Sequence, residues 1–163
     1  MEKQIVFASH KQRFSLPIEK IEKIIQWEQP IPVPETAKFV LGMIQYSEQI
    51  LPVIDLGWRL YDKPTIINDM AKLIVVQWQN QLIGVLVELI TGIEDFDTQQ
   101  FEYVDSELTI DKAYIDSFIK TNHDIIIQLE VERLFADNLM LAKISQGVEL
   151  IEGAATSEEV AAE

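Results

Sequence analysis

A chain of 163 residues with 48% hydrophobic side chains can afford a core, as one domain or as two small subdomains sharing one. Its 13 basic and 27 acidic residues leave a formal charge of −14, which repels phosphate backbones and anionic lipid and argues against nucleic-acid binding. No cysteine, no signal-like apolar stretch in MEKQIVFASHK and no apolar run of bilayer length set aside disulfides, thiol chemistry and membrane insertion. A cytoplasmic location is the expectation.

In chain order the dominant pattern is short Ile- and Val-rich segments separated by polar turns. β-branched crowding and segment length predict strands at Gln4 to Ala8, Arg13 to Leu16, Ile24 to Glu28, Leu41 to Tyr46 and Gln49 to Ile54. The series continues with Lys72 to Trp78, Gln81 to Leu89, Tyr114 to Lys120 and Asp124 to Leu129. Ser9-His10-Lys11, Ser47-Glu48, Gln79-Asn80 and Thr121-Asn122-His123 join neighbouring runs as hairpin turns do. Helical pieces are few. Pro17 opens a short turn over Ile18, Ile21 and Ile25, and Thr36 to Val40 suits one more. Asp55 caps a short helix over Leu56 to Tyr61, and Val131 to Ile144 reads as an amphipathic helix carrying Leu134, Phe135, Leu139 and Ile144. Residues 147–163 form an acidic, alanine-rich tail with no lysine or arginine, and the polar stretch Lys63 to Met70 is the expected internal divider of a domain covering 1–146. Many short antiparallel strands with few helices indicate barrels or sandwiches.

Catalysis requires positioned acids, bases, nucleophiles or a metal, and the chain supplies little of this. Its two histidines, His10 and His123, fall in turns, where solvation is the ordinary state and no third metal ligand stands at site spacing. Six scattered glycines form no phosphate-binding loop. Glu94, Asp95 and Asp97 are interrupted by Phe96, lack the ordered ligands of a calcium loop, and read as a solvated loop after a strand. No enzyme activity, metal or cofactor is expected. Of the three tryptophans, Trp58 suits a barrel plug, whereas Trp27 and Trp78 sit among glutamines near strand ends and are expected to be partly exposed.

The stretch FVLGMIQYSEQILPVIDL, Phe39 to Leu56, resembles the central hairpin of the CheW-like domain family, which typically reads G-V-I-N-L-R-G-x-I-x-P-V-x-D-L. Gly42, Ile44, Ile50, Pro52, Val53, Asp55 and Leu56 match, while Gln45, Tyr46, Ser47 and Glu48 stand where the family favours N-L-R-G. IEKIEKII, IGVLVELITGI and YIDSFIKTNHDIIIQLEVERLF follow in family order, so the resemblance runs from about Gln4 to Phe135. It implies a mostly β fold: two intertwined five-stranded SH3-like β-barrel subdomains, few short helices and a C-terminal helix.

The resemblance further implies a non-catalytic adaptor or scaffold. Such a protein couples the cytoplasmic tip of a chemoreceptor (a methyl-accepting chemotaxis protein) to the regulatory domain of a CheA-type histidine kinase, at membrane-bound receptor arrays. The receptor's helical hairpin would lie in an apolar groove between the barrels, and one barrel would dock the kinase domain. Matched residue by residue, Ile21, Lys23, Ile90 and Ile93 fall at groove positions; read from the residues alone the isoleucines are ordinary core, and the resemblance puts groove and core on an equal footing. Gly42, Gln45, Tyr46, Ser47 and Glu48 form the partner-facing turn. Serine offers one hydroxyl where the family arginine offers a planar fork of donors, and Glu48 adds a negative charge. Ser117 stands where the family prefers glycine. A pilus or surface-motility pathway suits the altered turn as well as chemotaxis does, and a small-ligand-binding barrel is the remaining reading.

Overall fold

The structure is a computed structural model describing residues 1–34, 36–103 and 114–134. β1 (Glu2–Ser9) and β2 (Gln12–Pro17) form a hairpin, and a 3-10 turn at Ile18–Lys20 leads to β3 (Ile21–Gln26). The chain then builds β4 (Val40–Tyr46), β5 (Gln49–Asp55), helix α1 (Leu56–Tyr61), β6 (Lys72–Trp78) and β7 (Gln81–Val87). β8 (Leu89–Phe96), β9 (Phe101–Tyr103), β10 (Ile115–Lys120), β11 (Ile125–Leu129) and the single helical turn α2 (Val131–Leu134) complete the described residues. They make two sheets, one of six strands in the order β8-β1-β2-β11-β10-β9, the other of five in the order β3-β6-β7-β5-β4. The chain leaves the first sheet after β2, completes the second, and returns through Glu88; this is the expected intertwining. The six-stranded sheet exceeds the expected five because short β9 adds to the edge of β10.

Period-2 alternation explains why strands so apolar fold this way. In β6, Leu73 and Val75 face the core of the second sheet, with Ile44, Leu51, Val53 and Leu86. Ile74, Val76 and Trp78 face the opposite way into a layer shared with Ile5, Phe7, Phe14 and Leu16 of the first sheet. β1 divides likewise: Val6 joins Phe96, Phe101, Ile119 and Ile126 inside the first sheet, while Ile5 and Phe7 enter the shared layer. A strand buried on both faces loses its polar alternation and becomes a continuous apolar run, which is what KLIVVQW is. Each large apolar side chain so buried contributes about 1.5–3 kcal/mol.

Several expectations are corrected. Glu94 and Asp95 belong to β8, an edge strand paired with β1 rather than a loop, and Asp97 caps the 3-10 turn Thr98–Gln100 by accepting from the Gln99 N–H. Trp78 is 1% exposed, because it follows Ile74 and Val76 into the layer shared by both sheets. Thr36 to Val40 forms no helix; its backbone turns into β4. Ile21 opens a strand rather than continuing a helix. Lys63 to Met70 joins α1 to β6 within the second sheet, so the passages between sheets lie at the 3-10 turn and at Glu88. Phe135, Leu139, Ile144 and the 147–163 tail lie outside the described residues.

Candidate functional site

Among the described residues the second sheet has two open edges, β3 and β4, because neither has a strand neighbour on its outer side. The sheet curls until these edges face each other. Tyr46, at the end of β4, donates its hydroxyl to Glu22 Oε2 on β3 at 3.0 Å. Desolvation first, then the hydrogen bond to Glu22 and that group's charge, hold the Tyr46 phenol above its usual range. After β3 the chain crosses to β4, where Ile31 and Met43 exchange backbone hydrogen bonds of 2.8 and 3.0 Å.

Gly42 makes that crossing possible. It sits inside β4 rather than before it, at a bulge with φ of +141°, and a Cβ built there would lie 2.1 Å from the Ile31 carbonyl oxygen. Beyond Met43 no described strand pairs with this edge, and the chain reverses at Ser47, whose φ is +55°. Two depressions flank this hairpin. One, of about 660 Å³, has Lys23 and Trp27 on the β3 side and Gln45, Tyr46 and Ser47 on the hairpin side. The other, of about 310 Å³, is lined by Ile31, Met43, Ile44, Ile50 and Glu48; Gln45 belongs to both. Half-buried Trp27 and Tyr46 rest on the core of the second sheet.

The residues singled out in the sequence therefore divide. Lys23 joins Gln45, Tyr46 and Ser47 in one depression, with Glu48 and Gly42 beside it. Ile21 and Ile90 are half-buried against the layer shared by both sheets, on β3 and β8 respectively. Ile93 lies on β8 opposite Ile5 and is 56% exposed. A small apolar cleft of about 50 Å³ opens between the first sheet and α1, lined by Phe14, Leu60, Tyr61, Tyr114, Ile115 and Ile127. Glu22, Trp27 and Ile31 were not assigned to this site from the sequence. Glu22 enters through its contact with Tyr46 across 24 residues, and Ile31 through its bridge to Met43, neither of which periodicity carries.

The histidines behave differently from each other. His123 is an exposed turn residue. His10, at φ of +48°, is half-buried: its ring packs on Tyr61 with centroids 4.9 Å apart, and its backbone N–H donates to Glu88 Oε1 at 3.3 Å. The expectation of a solvated turn fails here because the β1–β2 turn abuts α1 and the crossover at Glu88. Among the described residues no three His, Asp or Glu side chains are grouped to hold a metal, and no helix is long and apolar enough to cross a membrane.

The model of the CheW-like domain matches residues 3–139. The chain belongs to the CheW-like domain family. It is 26% identical over 136 residues to the probable chemotaxis protein CheW of Rhizobium etli, covering 82% of this chain and 86% of the relative. It is 24% identical over 134 residues to the chemotaxis protein CheW of Thermotoga maritima, covering 80% and 85%. The crystal structure of the scaffolding protein TtCheW from Thermoanaerobacter tengcongensis superposes with a TM-score of 0.76 at 26% identity, over 84% of this chain and 94% of that one. The two sheets thus correspond to the SH3-like subdomains of a CheW-like fold.

Proposed function

We propose that this chain is a non-catalytic adaptor of a chemosensory pathway, holding the cytoplasmic tip of a chemoreceptor and the regulatory domain of a CheA-type histidine kinase in one complex in the cytoplasm. The observation that carries the reading is the hairpin site. An uncovered strand edge lies between two depressions with apolar floors and charged rims, on a fold shared with a scaffolding protein. Apolar centre and polar rim are the anatomy of a protein interface.

In this reading Gly42, Gln45, Tyr46, Ser47 and Glu48 dock the kinase domain, and Ile21, Lys23, Ile90 and Ile93 contact the receptor. A scaffold of this kind changes kinase output only through differential contacts with the kinase's states, so binding must precede any effect on phosphorylation. Size-exclusion chromatography of the purified chain with the kinase and a receptor cytoplasmic fragment from the same genome tests it. Co-elution is the expected outcome; elution as an unbound protein with every kinase and receptor of that genome overturns it.

A further inference from the structure

The β4–β5 hairpin is electrostatically one-sided. No lysine or arginine occurs from Phe39 to Trp58, and the two acids of that stretch differ sharply: Asp55 is buried and hydrogen-bonded, whereas Glu48 is exposed at the hairpin tip. Glu22 adds a second negative charge, held beside the hairpin by the Tyr46 hydroxyl. The nearby cations belong to the opposite wall, where Lys23 lines the larger depression and Lys72 Nζ donates to Gln26 Oε1 at 3.2 Å.

An exposed glutamate in a turn is ordinarily just solvated. Glu48 differs in its surroundings, because it forms the rim of the depression floored by Ile44 and Ile50 and flanked by Ile31, itself 65% exposed. A lone charge on the rim of an apolar surface selects the sign of whatever covers that surface.

We infer that the domain docking on this hairpin presents a lysine or arginine to Glu48, beside an apolar side chain that enters the Ile31–Ile44–Ile50 depression. The inference rests on the proposed docking of a kinase domain, and it assigns Glu48 as the residue that selects the partner by charge. Rim charges act on encounter rate and salt dependence more than on the lifetime of a complex.

The test is stopped-flow association of the full chain with the regulatory domain of the kinase. Glu48→Gln, Glu48→Lys and, as a control for net charge, Glu102→Lys on exposed β9 are compared at low and high salt. At low ionic strength Glu48→Lys is expected to slow association about tenfold and Glu48→Gln about two- to threefold, with both deficits closing near 0.5 M salt, roughly where screening shortens to a few ångströms. Glu102→Lys should remain near wild type. Unchanged or faster association of Glu48→Lys, or an equal deficit in Glu102→Lys, overturns the inference while leaving the docking reading intact. Absence of wild-type binding overturns the docking reading and the inference with it.

Discussion

Gly42 is the residue on which the hairpin site turns. Its φ of +141° belongs to glycine, and a methyl group there would collide with the Ile31 carbonyl. Gly42→Ala should cost roughly 2–3 kcal/mol, about 5–10 °C in Tm, from backbone strain and the displaced crossing. An unchanged melting curve would show that the crossing yields freely. Ile90 and Ile93 separate folding from binding. Ile90 packs on the shared layer and Ile93 projects into solvent, so Ile90→Asp should lower stability by about 2–3 kcal/mol and Ile93→Asp by less than about 0.5 kcal/mol. In the proposed function, Ile93→Asp weakens receptor binding in a protein that melts normally; retained binding would remove Ile93 from the receptor surface. These distinctions were beyond sequence reasoning, because a groove isoleucine and a core isoleucine are the same letter and only neighbours distinguish them.

At the scale of elements, two polar clusters tie segments distant in sequence. Asp55 ends β5 and caps α1 as anticipated, accepting from the Gly57 N–H at 2.9 Å. It also accepts from the Thr65 N–H and hydroxyl, pinning the loop that follows the helix. Asp55→Ala should therefore cost roughly 3 kcal/mol, more than a lost cap alone, since it also strands buried donors; chemical denaturation measures it. The second cluster joins three strands. Arg13 on β2 makes paired hydrogen bonds of 2.7 Å to Asp124 before β11 and reaches Glu94 on β8 at 3.3 Å. Hydrogen bonds from Arg13, then from Thr121, lower the Asp124 carboxyl from 3.8 to about 2. A carboxylate with a depressed folded-state pKa stabilises fully above its unfolded value, and the contribution fades as pH falls from near 4 through 2. The cluster is partly exposed, so the effect is small. Asp124→Asn should flatten the acid limb of a stability–pH curve within that window and leave neutral pH nearly unaffected in slope. Most strands were legible because β-branched runs end at clear turns; β9 was not, since three residues give no periodicity, and neither was β8, whose Glu94 and Asp95 read as a loop.

For the whole molecule, the two sheets have unlike interiors. Inside the second, Ile44, Leu51, Val53, Leu73, Val75 and Leu86 form an apolar core. The first buries Gln4, Ser15, Ser117 and Gln128 beside its apolar cluster. Register places Ser15 opposite Gln128, and Gln128 opposite Ser117, whose hydroxyl donates to Gln128 Oε1 at 3.3 Å. Gln4 is 1% exposed, and neither polar atom of its side-chain amide meets a hydrogen-bond partner among the described residues. Gln4→Met, close in shape, should raise stability by about 1 kcal/mol, read as a higher denaturation midpoint; a lower midpoint would show that the amide contributes. Local patterns sufficed for most of the strands, the four hairpin turns, the capped helix and the order of family-like segments, because these follow from short-range periodicity, turn chemistry and a cap, whereas β8 and β9 escaped them. Three-dimensional packing alone brings β3 and β4 face to face, lines one depression with Lys23, Gln45, Tyr46 and Ser47, and leaves His10 half-buried. Each of these depends on how a sheet curls and on contacts between residues far apart in the chain, which no local pattern encodes.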